Sequence, residues 1–302
     1  MAKTGQSTRA RWWWPPDHPR TWIALGAALL IMTAATLLGL LLSGLDRGGR
    51  HGAFDTGALT ATDAVEVQAA IIRVNAVSDD MEVRVSVFAH GRYGTDESGV
   101  TPVQDLTVET TSLNKAVLTF PAGQRMVVQD VLFDFDTGEI ADYPFDRYAT
   151  SMHFAATVAG RPAPTILQVI DSDPGFVTRA IPSGDTTAPG FDLQLRRTRG
   201  TFAMVWMMYV VMWALALSVL TGALVIGRMR AGLPWPALGW MAASLFALAG
   251  YRGTAPGSPP IGCLLDYTVF LWAEAIVAFS MVYVVVRGSR VELGPSAAAE
   301  RS

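Results

Sequence analysis

Hydrophobic positions along the chain follow two rules. In the runs 22–43, 201–227, 231–251 and 261–286 apolar residues are nearly continuous, and only the last of these carries acidic residues, Asp266 and Glu274. About 20 apolar residues suffice to cross a hydrocarbon core of roughly 30 Å, so each run is a candidate transmembrane helix. Pro234 and Pro236 open the third run, which shortens its expected span to 233–250. Between the first and second runs the rule changes to period two. In 81–87 the apolar set is Met81, Val83, Val85 and Val87, with Glu82, Arg84 and Ser86 between them. Such alternation predicts half-buried strands. The same reading gives strands at 65–77, 106–110, 116–120, 126–135, 150–158, 165–170 and 191–195, separated by Gly, Pro and Asp turns. This pattern predicts an antiparallel β-sandwich, immunoglobulin-like or related, over residues 46–200. The expected fold class is therefore an α+β membrane protein. Its extracytoplasmic sandwich is inserted between transmembrane helix 1 (22–43) and a bundle of helices 2 to 4 (201–227, 233–250 and 261–286).

Orientation follows from basic residues, which are retained in the cytoplasm when they lie in short loops and tails. Lys3, Arg9, Arg11 and Arg20 in the tail 1–21, Arg228 and Arg230 after the second span, and Arg287 and Arg290 in the tail 287–302 all fall on one side of a four-span chain. Both termini are then cytoplasmic, residues 46–200 lie outside, and the chain is a multi-pass protein of the cytoplasmic membrane. A cleaved signal peptide competes for the first run. That run is longer than an ordinary signal core and lacks an A-x-A-like site after Leu42, which favours an uncleaved anchor. Without the third span, the C-terminus would lie outside.

Composition adds class and exclusions. Of 302 residues 51% are hydrophobic, and the net charge is −3. Residues 46–200 hold 21 acidic and 13 basic residues, a net −8 that argues against a nucleic-acid partner. The expected partners are the lipid bilayer, an extracytoplasmic protein or ligand, and, in one reading, further copies of the chain. Cys263 is the only cysteine, which excludes an internal disulfide and a cysteine-based zinc site. His18, His51, His90 and His153 are scattered, and no G-x-S-x-G, H-E-x-x-H or Walker loop occurs. Neither an enzyme nor a cofactor is expected.

Three groups of residues carry candidate chemistry. Tyr143, Pro144, Phe145, Asp146, Arg147 and Tyr148 form an aromatic, proline-fixed turn in which Asp146 can accept backbone N–H bonds. It reads either as a rigid strand connection or as a contact loop between the outer domain and the helices, near 196–199 or 251–260. The nearby acids Asp134, Asp136, Glu139, Asp142 and Asp146 suggest Ca²⁺. However, Glu139 and Phe145 occupy the EF-hand's glycine and final acidic positions, and a turn at Asp136-Thr137-Gly138 accounts for the same residues. Within the membrane, Glu274 sits near mid-span and Asp266 near the outer end, with Arg252 the natural partner of Asp266. Tyr209, Ser218, Ser244, Trp206, Trp213 and Trp240 are the candidate donors to Glu274. Arg196, Arg197 and Arg199 have two readings: contacts to lipid headgroups, or pairing with acids of their own domain.

Two resemblances rest on these residues. Tyr143 to Tyr148, together with Pro-Gly-Ser-Pro-Pro-Ile-Gly-Cys-Leu-Leu-Asp at 256–266 and Phe270-Leu271-Trp272-Ala273-Glu274, resembles an uncharacterised family of bacterial, mainly actinobacterial, four-span membrane proteins. That resemblance implies a fold and no activity. Tyr143-Pro144-Phe145-Asp146 is also similar to the loop on which the outer domain of pentameric ligand-gated channels rests against their pore domain, and Arg196-Arg197 resembles their entry to the first pore helix. This second likeness implies a ring oligomer gated from outside, conducting or not. The chain departs from it in having a span before the outer domain, none after the fourth, and no cysteine pair.

Overall fold

The computed structural model describes residues 53–185, 188–229 and 233–293, together with Thr33, Leu37, 39–41 and Gly44. The chain divides into two units, Met1–Gly44 and Leu45–Ser302. In the first unit the six described residues are helical; the rest of the expected span 22–43 lies outside the described residues. Everything below concerns the second unit.

Alternation sets the strands. β2 (Val65–Asn75) and β3 (Asp80–Ala89) bury every second residue, except where a bulge after Ile71 shifts β2 by one, and Asp79, with a φ of 62°, turns the chain between them. The remaining strands are β1 (Ala53–Gly57), β4 (Leu106–Thr110), β5 (Val117–Phe120), β6 (Gln129–Asp134), β7 (Arg147–Val158), β8 (Arg161–Pro162), β9 (Thr165–Asp171), β10 (Phe176–Pro182) and β11 (Gly190–Arg197). One sheet has the order β1-β9-β2-β3-β6 and the other β10-β11-β7-β4-β5, with β8 against β7. The two sheets share one core, in which Phe133 of β6 meets Phe154 of β7 edge-on at 6.0 Å and Phe54 meets Phe191 at 6.4 Å. The domain is thus sandwich-like, but not purely antiparallel as the sequence suggests. β2 and β9 run parallel, Val65 opposite Thr165 through Ile71 opposite Asp171. Two strands so far apart in the chain can pair in either direction, and periodicity is blind to the choice.

The loop after β9 is held by two buried carboxylates. Asp173 accepts from the backbone N–H groups of Val74, Gly175 and Phe176. Asp171 accepts from those of Thr178 at 2.8 Å and Asp173 at 3.3 Å. Burial pushes the Asp171 carboxyl above its ordinary range. A raised folded-state pKa means that its contribution to stability is complete below the ordinary Asp pKa and is lost as pH rises through the folded value. Asp171→Asn should remove this dependence. The melting-temperature difference, variant minus wild type, is expected to be more positive at pH 7 than at pH 4; an equal difference at both pH values would refute it.

The helices are α1 (Arg199–Arg228), α2 (Trp235–Arg252) and α3 (Leu271–Glu292), the last preceded by one π-helical turn, Asp266–Phe270. α1 buries Val205, Met208, Met212, Ala216, Val219 and Ala223 on one stripe, yet its outer face carries Met204, Trp206, Met207, Val210 and Val211. An ordinary surface helix is polar on that side; a helix apolar all round suits a hydrocarbon surrounding. Small buried residues accompany the packing of α1 on α3, Ala216, Ala223 and Gly227 on one, where Gly227 leaves room for Tyr283, and Ala273 and Ser280 on the other. Among the described residues two helices are long and apolar enough to cross a membrane: Arg199–Arg228, of 30 residues, and Asp266–Glu292, of 27. At about 1.5 Å per residue they reach roughly 45 and 40 Å. α2, with 18 residues, is shorter.

Candidate functional site

The two halves of the second unit are joined by one antiparallel register. β7 and β11 pair with Arg147 opposite Arg196. The next pair outward brings Asp146 to Arg197, 51 positions away in the chain. Arg197 Nε donates to both Asp146 oxygens, at 3.1 and 3.0 Å, and Nη2 donates to Oδ2 at 2.8 Å. Both side chains are almost wholly buried, at 2% and 0% exposure. The Tyr148 hydroxyl donates to the same carboxylate at 2.9 Å. Asp146 therefore does not cap a turn through backbone N–H groups, as the sequence suggests. A guanidinium and a phenol supply its donors, because β11 delivers the arginine to the same point.

Aromatic faces complete the enclosure. The Arg197 guanidinium lies 4.4 Å from the Phe176 ring centroid and 5.0 Å from that of Tyr143, distances suited to cation–π attraction. Tyr143 itself is fully buried and packs with Val205, Met208, Cys263 and Leu265 in the helical core rather than the sandwich core. The Tyr143–Pro144 peptide bond is cis. Phe145 meets Phe202 of α1 in a tilted contact at 5.5 Å. A Cβ placed on Gly257, in the α2–α3 connection, would approach Arg197 Nη1 to 2.6 Å, so glycine is required there and its φ of 76° is one glycine adopts freely. One residue after Arg197, Thr198 caps α1 by accepting from the Thr201 N–H. The structure thus places the loop 143–148 where β11 becomes α1, beside the α2–α3 connection.

Burial pushes the phenols of Tyr143 and Tyr148 upward, and for Tyr148 the neighbouring Asp146 carboxylate adds to the effect. Tyr148 remains a donor across the physiological range. The Tyr143 hydroxyl is buried without a hydrogen-bond partner among the described residues. Removing an unsatisfied polar group is close to neutral or stabilising, whereas removing the ring opens a cavity. Tyr143→Phe should therefore change the melting temperature by only a few degrees, in either direction. Tyr143→Ala should cost about 3–5 kcal/mol.

A second buried pair closes the α2–α3 connection. Arg252 Nε and Nη2 donate to Asp266 Oδ1 and Oδ2 at 2.7 and 2.8 Å. Nη1 donates to the Pro259 carbonyl, and Nη2 also to the Pro260 carbonyl, each at 2.8 Å. The Gly262 N–H donates to Asp266 Oδ2 at 2.7 Å. Two prolines lack N–H groups and leave their carbonyls to be satisfied by a side chain, and the arginine fork supplies several donors at once. Cys263 is buried against this cluster.

Glu274 is not part of either pair. It is half-buried and lines a groove of about 710 Å³ between α2 and α3 with Ala242, Phe246, Ala249, Ala275 and Ala278. It makes no hydrogen bond or ion pair with any described residue; of the candidate donors, Ser218 donates to the Ala214 carbonyl and Ser244 to that of Trp240, Tyr209 receives the Thr268 hydroxyl, and the indoles of Trp206, Trp213 and Trp240 do not reach it. Of the arginines at the domain boundary, Arg197 takes the acid of its own domain and Arg196 is exposed. Among the described residues no group of three or more His, Cys, Asp or Glu is placed to hold a metal ion. The acids around Asp136 follow suit, since Asp146 is enclosed by Arg197 and Asp136 accepts from Ser151.

Two family models meet at this junction. Residues 55–195 match the model described as Domain of unknown function (DUF4436), and residues 197–291 match that described as Domain of unknown function (DUF8686). Comparison with curated proteins finds no match. The DUF4436 match covers the sheets and the DUF8686 match the helices, and Arg196 lies between them. Asp146, on the DUF4436 side, and Arg197, on the DUF8686 side, form their salt bridge across that boundary.

Proposed function

We propose that the chain is a multi-pass protein of the cytoplasmic membrane whose extracytoplasmic β-domain is a binding or scaffolding module fixed to a helical platform. In this reading the spans are 22–43, α1, α2 and the helix from Asp266, both termini are cytoplasmic, and the protein is not an enzyme. The α1 and α3 faces, apolar where they are exposed, support the membrane part. The single observation that carries the binding part is one edge of the sandwich. β5 and β6 end the two sheets, and the exposed apolar residues Leu113, Val117, Val127 and Val128 flank them. Lys115 reaches Gln129, and the Leu113 N–H reaches the Leu132 carbonyl, which sets the two segments side by side. Exposed apolar residues grouped on an acidic domain mark an interaction surface.

A photo-cross-linking residue at position 127, used in intact cells of the source organism, tests the binding reading. One discrete adduct, lost in Val117→Glu, is expected; no adduct from position 127 or 117 would sink it. Reporter fusions after residue 302 test the topology: a fluorescent cytoplasmic reporter should be active there and alkaline phosphatase inactive.

The Glu274 groove favours a second reading, a ring oligomer akin to ligand-gated channels, conducting or not. A carboxylate in an apolar groove with no donor among the described residues is stabilised by a donor from a neighbour or by protonation. Mass photometry in nanodiscs should then show a ring, and a monomer would refute it. Glu274→Gln, which keeps the shape and removes the charge, should leave assembly unchanged unless the site carries protons, in which case the defect would depend on pH.

A further inference from the structure

The outward side of the junction register holds the opposite arrangement of charge. Side chains alternate across a strand, so the step from Asp146 to Arg147 and from Arg197 to Arg196 moves from the buried face to the exposed one. There Arg147 stands directly opposite Arg196. Arg179 of β10 pairs with Gln194, two positions along β11 and on the same face as Arg196. The three exposed arginines line one groove of about 540 Å³, together with Thr137, Val177 and Gln194.

Among the described residues no carboxylate lines this groove, and none of the three guanidinium groups forms a hydrogen bond or ion pair. Like charges directly opposite on an antiparallel pair repel. On a segment with 21 acids and 13 bases, local pairing should be easy to arrange. Two other exposed arginines of the sheets show as much, since Arg73 pairs with Glu82 and Arg84 with Asp130, whereas Arg161 of β8 is exposed with no ion pair to a described residue. Several planar forks converging without a counter-charge match an anion that accepts many N–H bonds at once, and phosphate is that anion. Arg196 lies three residues before the start of α1, about 10 Å at roughly 3.3 Å per residue. The groove therefore opens beside the point where the chain leaves the sheets for its first long apolar helix.

We propose that Arg147, Arg179 and Arg196 form a binding site for a phosphate-bearing anion, supplied by the headgroup of an anionic phospholipid. The lipid source rests on reading α1 and α3 as spans; the phosphate chemistry does not. A site at headgroup depth would hold the domain in a set orientation above the bilayer, on the outer side of the pair Asp146–Arg197.

The test uses the full chain in neutral detergent at low ionic strength, titrated separately with dioleoylphosphatidylglycerol, dioleoylphosphatidylcholine and inorganic phosphate. Phosphatidylglycerol should bind more tightly than phosphatidylcholine. The preference should fall about fivefold for each arginine changed to glutamine, and should shrink with added salt. Arg179→Gln on edge strand β10 gives a single-site variant that leaves the β7–β11 pair intact, and thermal melting of each variant reports folding. If Arg147→Gln/Arg179→Gln/Arg196→Gln melts like wild type and binds phosphatidylglycerol equally well, the site is overturned. Arginine-dependent binding of inorganic phosphate with no preference between the two lipids would support the phosphate site and overturn its lipid source. Release of the wild-type protein from membranes by alkaline wash would count against the spans alone and leave the phosphate arm standing.

Discussion

Asp146→Ala should destabilise the protein strongly. It leaves the Arg197 guanidinium, 2% exposed, without its carboxylate and removes the acceptor of the Tyr148 hydroxyl. Breaking one side of a buried ion pair costs about 3–5 kcal/mol, because the remaining charge stays desolvated. For a chain of this size that is a fall on the order of 10 °C in melting temperature. The cost belongs to the orphaned charge, so replacing both partners together, Asp146→Leu with Arg197→Met, should recover most of the loss. Thermal melts of the two single variants and the double variant in detergent decide the matter. A double variant as unstable as the sum of the singles would show that the pair acts by geometry at the boundary and not by charge compensation. The cycle also bears on whether the β-domain and the helices behave as one piece, since the pair spans the DUF4436 and DUF8686 segments.

The second large effect is expected at Arg252. Arg252→Ala strands the Asp266 carboxylate, 1% exposed, and removes the donors to the Pro259 and Pro260 carbonyls. The loss should again be about 3–5 kcal/mol, but its clearest sign is chemical. Cys263 is the only cysteine in the chain and is buried beside this cluster. A maleimide should label it slowly in the wild type and at least tenfold faster in Arg252→Ala. Arg252→Lys should not restore protection, since one ammonium cannot supply the directed donors of the guanidinium fork. Unchanged labelling in Arg252→Ala would mean that the connection is held by its prolines and backbone and not by the arginine.

These two pairs differ in how far they could be read from residues alone. Arg252 and Asp266 are 14 positions apart and close a connection between consecutive helices, so proximity in the chain makes their meeting legible. Asp146 and Arg197 are separated by 51 positions and meet because β7 and β11 are neighbours in a particular register. Nothing local states that register. For the same reason the sequence shows Arg196 and Arg197 as adjacent positive charges, whereas the fold buries one and exposes the other. The loop 143–148 is conspicuous from its proline and aromatics. That Tyr143 belongs to the helical core and not to the sandwich is a matter of packing. β1, β10 and the two-residue β8 escape the sequence reading. Ala53–Gly57 alternates weakly, and Phe176–Pro182 lies between Pro174 and a terminal Pro182, where proline suggests loop; at a sheet edge it is tolerated.

By itself the sequence determined the period of each element and hence which residues face a core: alternation in 65–89 and long apolar runs from residue 201 onward are local properties, set by backbone geometry and solvent. It also determined where like and unlike charges are available. Only the tertiary structure decided which of those charges meet. Pairing across 51 residues depends on strand order, direction and register, which minimise the free energy of the whole packed unit and leave no local trace. The parallel pairing of β2 with β9, the enclosure of Arg197 by Asp146, Tyr143 and Phe176, and the outward gathering of Arg147, Arg179 and Arg196 are consequences of that global choice.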